Sequence, residues 1–158
     1  MTNRLAKLLA VVVAFVVSLG AVPSLHGQIG VGTWVKDSTG ASPGMTMKVE
    51  VCCGPKGRRL TYLIPMKDMA PMTLTVDSPF DGSEAPVLIG GKPSGETMAI
   101  TWLDSHHVAG VVKMNGKPFG TSKSTLSPDG KTITVENDFS ESVGSQTVGK
   151  STEIWVKQ

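Results

Sequence analysis

"MTMKVEV", residues 45–51, alternates without a break: Met45, Met47, Val49 and Val51 fall on one face, Thr46, Lys48 and Glu50 on the other. A period of two with one apolar face is the pattern of a half-buried antiparallel strand. The same period recurs on both sides of it. "RLTYLI" aligns Leu60, Tyr62 and Ile64, and "MTLTVD" sets Met72, Leu74 and Val76 against Thr73, Thr75 and Asp77. "TMAITWL" aligns Met98, Ile100 and Trp102, and "TITVEN" aligns Ile133 and Val135. In "STEIWVK" the alternation sets Ile154 and Val156, as the apolar face, against Glu153, Trp155 and Lys157. Convincing helical periodicity is absent from every window of useful length.

Turn chemistry joins these segments. "CGPKGR" (53–58) closes a hairpin with Gly and Pro. In "MNGK" (114–117), Asn115-Gly116 tolerates the positive φ angles of a type I′ turn, whose twist matches paired strands. "SPDGK" (127–131) reads as a type I turn followed by Gly. "DGSE", "GGKPSGE" and "DSHH" read as looser connectors. Turn signals roughly every ten residues between short strands imply an all-β fold, an antiparallel up-and-down barrel of eight to ten strands. No internal repeat or second domain is visible.

The N-terminus sets an expectation about compartment. Arg4 and Lys7 precede an unbroken apolar run, "LLAVVVAFVVSLG" (8–20), and then Pro23 and small residues. That is the layout of a secretory signal peptide, with cleavage after Gly27 or Ser24. The run is short for a membrane span, which needs about 20 apolar residues. The expected division is a signal over 1–27 and a single domain over 28–158, secreted or periplasmic. Removing Arg4 and Lys7 from 15 basic residues leaves 13 against 13 acidic ones, a net charge of zero. A neutral surface argues against nucleic acid and against a polybasic membrane contact.

"VGTW" (31–34) opens the first strand of the expected domain. Its Gly-x-Trp resembles the opening motif of the lipocalin and fatty-acid-binding superfamily. Asp81-Gly82 followed by Pro86-Val87, "SPDGKTITV" from Ser127, and the terminal "EIWVKQ" extend the likeness. In that order they resemble a group of small secreted bacterial proteins with a lipocalin-like barrel and no assigned reaction. The resemblance implies a fold and an exported location, and no activity. In lipocalins the early Trp packs beneath a basic residue, usually Arg, from near the last strand. No Arg follows Arg59 here, so Lys150 or Lys157 is left for that place.

Several residue groups invite chemistry. Met66, Met69 and Met72 in "MKDMAPM" are soft thioethers of the kind that suits Cu(I), with His106 or His107 as further ligands. Pro65 and Pro71 bracket the segment, leaving room for at most one helical turn, so a connector whose methionines pack is the favoured reading. Cys52 and Cys53 are adjacent and point to opposite faces of a strand. They read as unpaired or locally strained thiols, Cys53 sharing the inward face of Val51. "DSHH" has the composition of a catalytic triad without its spacing. It reads as a hydrogen-bonded turn with one outward His. Phosphate-loop context is missing from "GGKPSG", and no acid pair is placed for general acid–base work.

A barrel of this size encloses packed side chains or one small ligand. Alternation nominates Met47, Val49, Tyr62, Leu74, Ile100, Trp102 and Val112 as its lining. Tyr62 and Trp102 add polar handles. The expectation is a non-enzymatic protein with no cofactor that binds a small apolar or amphipathic ligand. Envelope copper binding, and a filled barrel acting through its surface, are the alternatives. The sequence leaves oligomeric state open.

Overall fold

A computed structural model of the chain describes residues 30–38, 44–141 and 148–158. The proposed signal, residues 1–27, lies outside them. The described residues form ten strands and no helix. They are β1 (Gly32–Lys36), β2 (Thr46–Val51), β3 (Arg58–Met66), β4 (Met69–Ser78), β5 (Asp81–Ile89), β6 (Lys92–Trp102), β7 (His107–Met114), β8 (Lys117–Leu126), β9 (Thr132–Phe139) and β10 (Gly149–Lys157). Each pairs antiparallel with its neighbours in sequence, and β1 pairs with β10. The result is a closed, up-and-down, ten-stranded barrel with no free edge, which removes the usual route to edge-to-edge aggregation.

Local chemistry explains the turns. Asn115 and Gly116 hold φ angles of 49° and 81°, as a type I′ hairpin between β7 and β8 requires. In the β8–β9 turn, Gly130 N–H donates to Ser127 O at 2.9 Å, and Gly130 sits at φ 68°. The segment around Met66 is tighter than a bracketed connector. β3 runs through Pro65, β4 runs through Pro71, and only Lys67 and Asp68 lie between the strands. Pro65 falls where the β3–β4 register slips, a position that needs no ladder donor. Asp68 takes the left-handed conformation at φ 59°. Two other expected connectors are strand. "DGSE" starts β5 and "KPSGE" starts β6, with slips in the β5–β6 register absorbing the irregular residues.

The inward faces of β2, β3, β4, β6 and β9 follow the alternation of the sequence. Met47, Val49, Leu60, Val76 and Ile100 are buried. The last strand is reversed. Trp155 is 2% exposed, whereas Ile154 and Val156 are 42% and 41% exposed. Apolar residues occupy both faces of "EIWV", so alternation alone cannot choose between them. Pairing decides: Trp155 stands opposite Ile133 on β9 and Lys36 on β1, and those positions face inward. The larger indole takes the interior, and Val156 meets Val35 on the outside. Val51 keeps inward parity yet is 56% exposed, because β2 ends at the rim.

Candidate functional site

The barrel encloses a cavity of about 320 Å³, at the small end of the range typical of ligand pockets. All seven residues nominated from alternation line it: Met47, Val49, Tyr62, Leu74, Ile100, Trp102 and Val112. They come from β2, β3, β4, β6 and β7, and form one continuous apolar wall with Ile64, Met72 and Met98.

The facing strands β8, β9 and β10 also contribute apolar lining, Phe119, Leu126, Ile133, Val135, Phe139 and Trp155, but a polar cluster that was not legible in the pattern lies among them. Ser122 and Ser124 on β8, Asn137 on β9, Glu153 on β10 and Lys36 on β1 all face the cavity. Ser122 and Asn137 are cross-strand partners, and Glu153 pairs with Val135 beside them. Lys36 Nζ donates to Glu153 Oε1 at 2.7 Å, and Trp155 Nε1 donates to Glu153 Oε2 at 3.3 Å. Tyr62 crosses the cavity to meet Trp155 edge-on, ring centroids 5.8 Å apart. Burial first, then the charge of Glu153, pushes the Tyr62 phenol well above its ordinary pKa. Glu96 also lines the cavity, and burial holds its carboxyl above the usual glutamate value. The reversed parity of β10 is what brings Glu153 inside; a reading that places Trp155 inward finds it.

The end of the barrel where β1 begins and β10 finishes is filled by large side chains. Trp34 is fully buried, its indole N–H donating to Gly30 O at 2.9 Å. Lys157 Nζ sits 5.5 Å from the Trp34 ring centroid, so Lys157, not Lys150, covers the early tryptophan. Phe80 and Trp102 pack with centroids 5.4 Å apart, and the fully buried Arg58 guanidinium stacks 5.7 Å over Trp102. Arg58 also donates to Lys56 O and Gly57 O, and burial lowers its pKa. Trp102 Nε1 donates to Lys56 O, which ties the β2–β3 loop across this end.

The other candidates are dispersed. Met66 and Met69 are cross-strand partners, both exposed, at the tip of their hairpin, while Met72 faces the cavity. The hairpin therefore separates the three thioethers. His106 lines the cavity, and its Nδ1 lies 2.8 Å from Ser105 Oγ. Exposed His107 takes the Asp104 carboxylate instead, at 2.7 Å, so Asp104 does not orient the ring beside Ser105. Asp104 also accepts from the backbone N–H groups of His106 and His107, as a hydrogen-bonded turn requires, and these bonds lower its pKa. Cys52 and Cys53 are joined in a disulfide and are not thiols. Cys53 takes φ 60° after the end of β2, so the two side chains leave the strand alternation that would hold them apart. Cys52, Cys53 and Asp77 bring potential metal-ligand atoms within 4.8 Å of one another. The sulfurs are bonded to each other, however, and both Asp77 oxygens accept from Arg59 at 2.6 Å. No protein-family model matches the chain, and no curated protein matches it.

Proposed function

We propose that this is an exported, non-enzymatic protein that carries a small apolar or amphipathic ligand inside its barrel. The observation that carries the reading is the cavity of about 320 Å³ inside the barrel, with a largely apolar lining from β2–β7. Burial of apolar ligand surface there supplies roughly 25 cal/mol per Å² removed from water. The Cys52–Cys53 disulfide accords with an oxidising compartment, as does the signal-like sequence at residues 1–27. The lipocalin-like resemblance gains support from the closed barrel and from the placement of Lys157 over Trp34.

Native mass spectrometry of the exported chain, purified without detergent, tests the proposal. A retained adduct of small-molecule mass, lost on gentle activation, is the expected result. A copper adduct would instead favour the soft-metal reading, for which the structure leaves Met66 and Met69 together on the surface. A bare ion that also takes up no apolar probe would count against a carrier.

A further inference from the structure

A cluster of polar side chains from β8, β9, β10 and β1 interrupts a largely apolar cavity lining, and its chemistry bears on the ligand. This inference rests on the carrier reading above. Asn137 is 8% exposed and lines the cavity, and its side chain has no hydrogen-bond partner among the described residues. The Tyr62 phenol and the Ser122 and Ser124 hydroxyls are likewise unpartnered there. Among the described residues no fully buried polar side-chain atom lacks a partner, so these groups border open cavity space rather than packed protein. Unpartnered polar groups inside a barrel are costly unless something in the cavity satisfies them.

Charge is handled differently. Lys36 is already held by Glu153 at 2.7 Å, with side chains 30% and 17% exposed. A ligand carboxylate approaching Lys36 would meet the Glu153 carboxylate beside it, and would have to shed water for a cation already neutralised. Glu96 adds a second acid to the cavity. Arg58 also lines it, but its guanidinium is fully buried, donates to Lys56 O and Gly57 O and stacks over Trp102.

We infer that the cavity selects an uncharged amphiphile: an apolar body against the β2–β7 wall and a hydroxyl, carbonyl or amide end against Tyr62, Asn137 and the two serines. The Lys36–Glu153 pair acts as a filter against long-chain carboxylates. A neutral amide or alcohol end both donates and accepts, which matches the mixed capacity of Asn137 and the hydroxyls.

Calorimetric titration of the exported chain with decanamide and with decanoate, at pH 8, tests this. Decanamide is expected to bind at least about tenfold more tightly. Tyr62→Phe and Asn137→Leu should each weaken decanamide by about three- to tenfold, the scale of one net hydrogen bond. Glu153→Gln unmasks Lys36 and should narrow or reverse the preference, while Lys36→Met should not improve decanoate binding. Each variant is first shown to melt cooperatively by circular dichroism, and Lys36→Met stands independently if Glu153→Gln does not fold. Decanoate binding as tightly as decanamide in the parent would overturn the inference and leave the carrier reading standing. Failure of both probes to bind would overturn the two together.

Discussion

Gly32 lies where Lys157 crosses β1. A Cβ built on it would stand 2.9 Å from Lys157 Cε, and its φ of 139° lies outside the range L side chains favour. Gly32→Ala is therefore expected to cost about 1–3 kcal/mol in urea unfolding. Lys157→Ala should cost less, about 0.5–1 kcal/mol, the scale of a partly exposed cation–π contact. Equal stability of Gly32→Ala and the parent would show that the backbone at residue 32 does not hold this φ in solution. The cysteines give a second residue-scale expectation. Denatured, unreduced chain should take up no iodoacetamide, and reduced chain should take up two equivalents, one for each Cys in the sequence. Alkylation before reduction would mean free thiols. Glu96 gives a third. Burial raises its pKa in the folded state, so the native state holds that proton more tightly than the unfolded chain. Its contribution favours folding below the ordinary glutamate pKa and is lost as pH rises through the raised value. Glu96→Gln should thus melt higher than the parent at pH 7, the gap closing below about pH 4. A gap that persists at low pH would exclude a titration effect. Asp77, lowered by Arg59, works in the opposite sense, its contribution being lost on acidification in parent and variant alike.

Register is what matters among the strands. Gly120 and Phe139 are cross-strand partners on β8 and β9, and the Phe139 ring packs against the glycine. A Cβ at 120 would stand 2.1 Å from Phe139 Cδ1. Gly120→Ala should destabilise by about 1–3 kcal/mol through overpacking, and Gly120→Ala combined with Phe139→Leu should recover part of that loss. Thermal melts of the two variants check it, and additive losses would argue against the contact. The "MKDMAPM" hairpin belongs to this scale too. Its proline spacing was legible, but a tight turn at Lys67–Asp68 requires a register slip at Pro65, and only the pairing of β3 with β4 reveals that.

Closure is a property of the whole barrel. β1 and β10 meet through Trp34–Lys157 and Val35–Val156, and Gln158 N–H donates to Thr33 O at 2.9 Å. Deleting residues 154–158 removes Trp155 from the interior and reopens both edges. The shortened chain is expected to lose its cooperative near-ultraviolet transition. A sharp transition at the parent temperature would show that the seam contributes little. The sequence by itself determined the fold class, the hairpin at Asn115-Gly116 and the apolar cavity wall. Each is local: a period of two, a turn dipeptide, or one apolar face opposite a polar one. Only the tertiary structure decided which way β10 faces. "EIWV" is apolar on both sides, and the choice rests on partners more than a hundred residues apart in sequence, Lys36 and Glu153 among them. That choice puts an ion pair in the cavity, and with Asn137 and the serines it sets a polar cluster into a largely apolar lining. Pairing across a closed barrel is a long-range constraint, and no local window of sequence contains it.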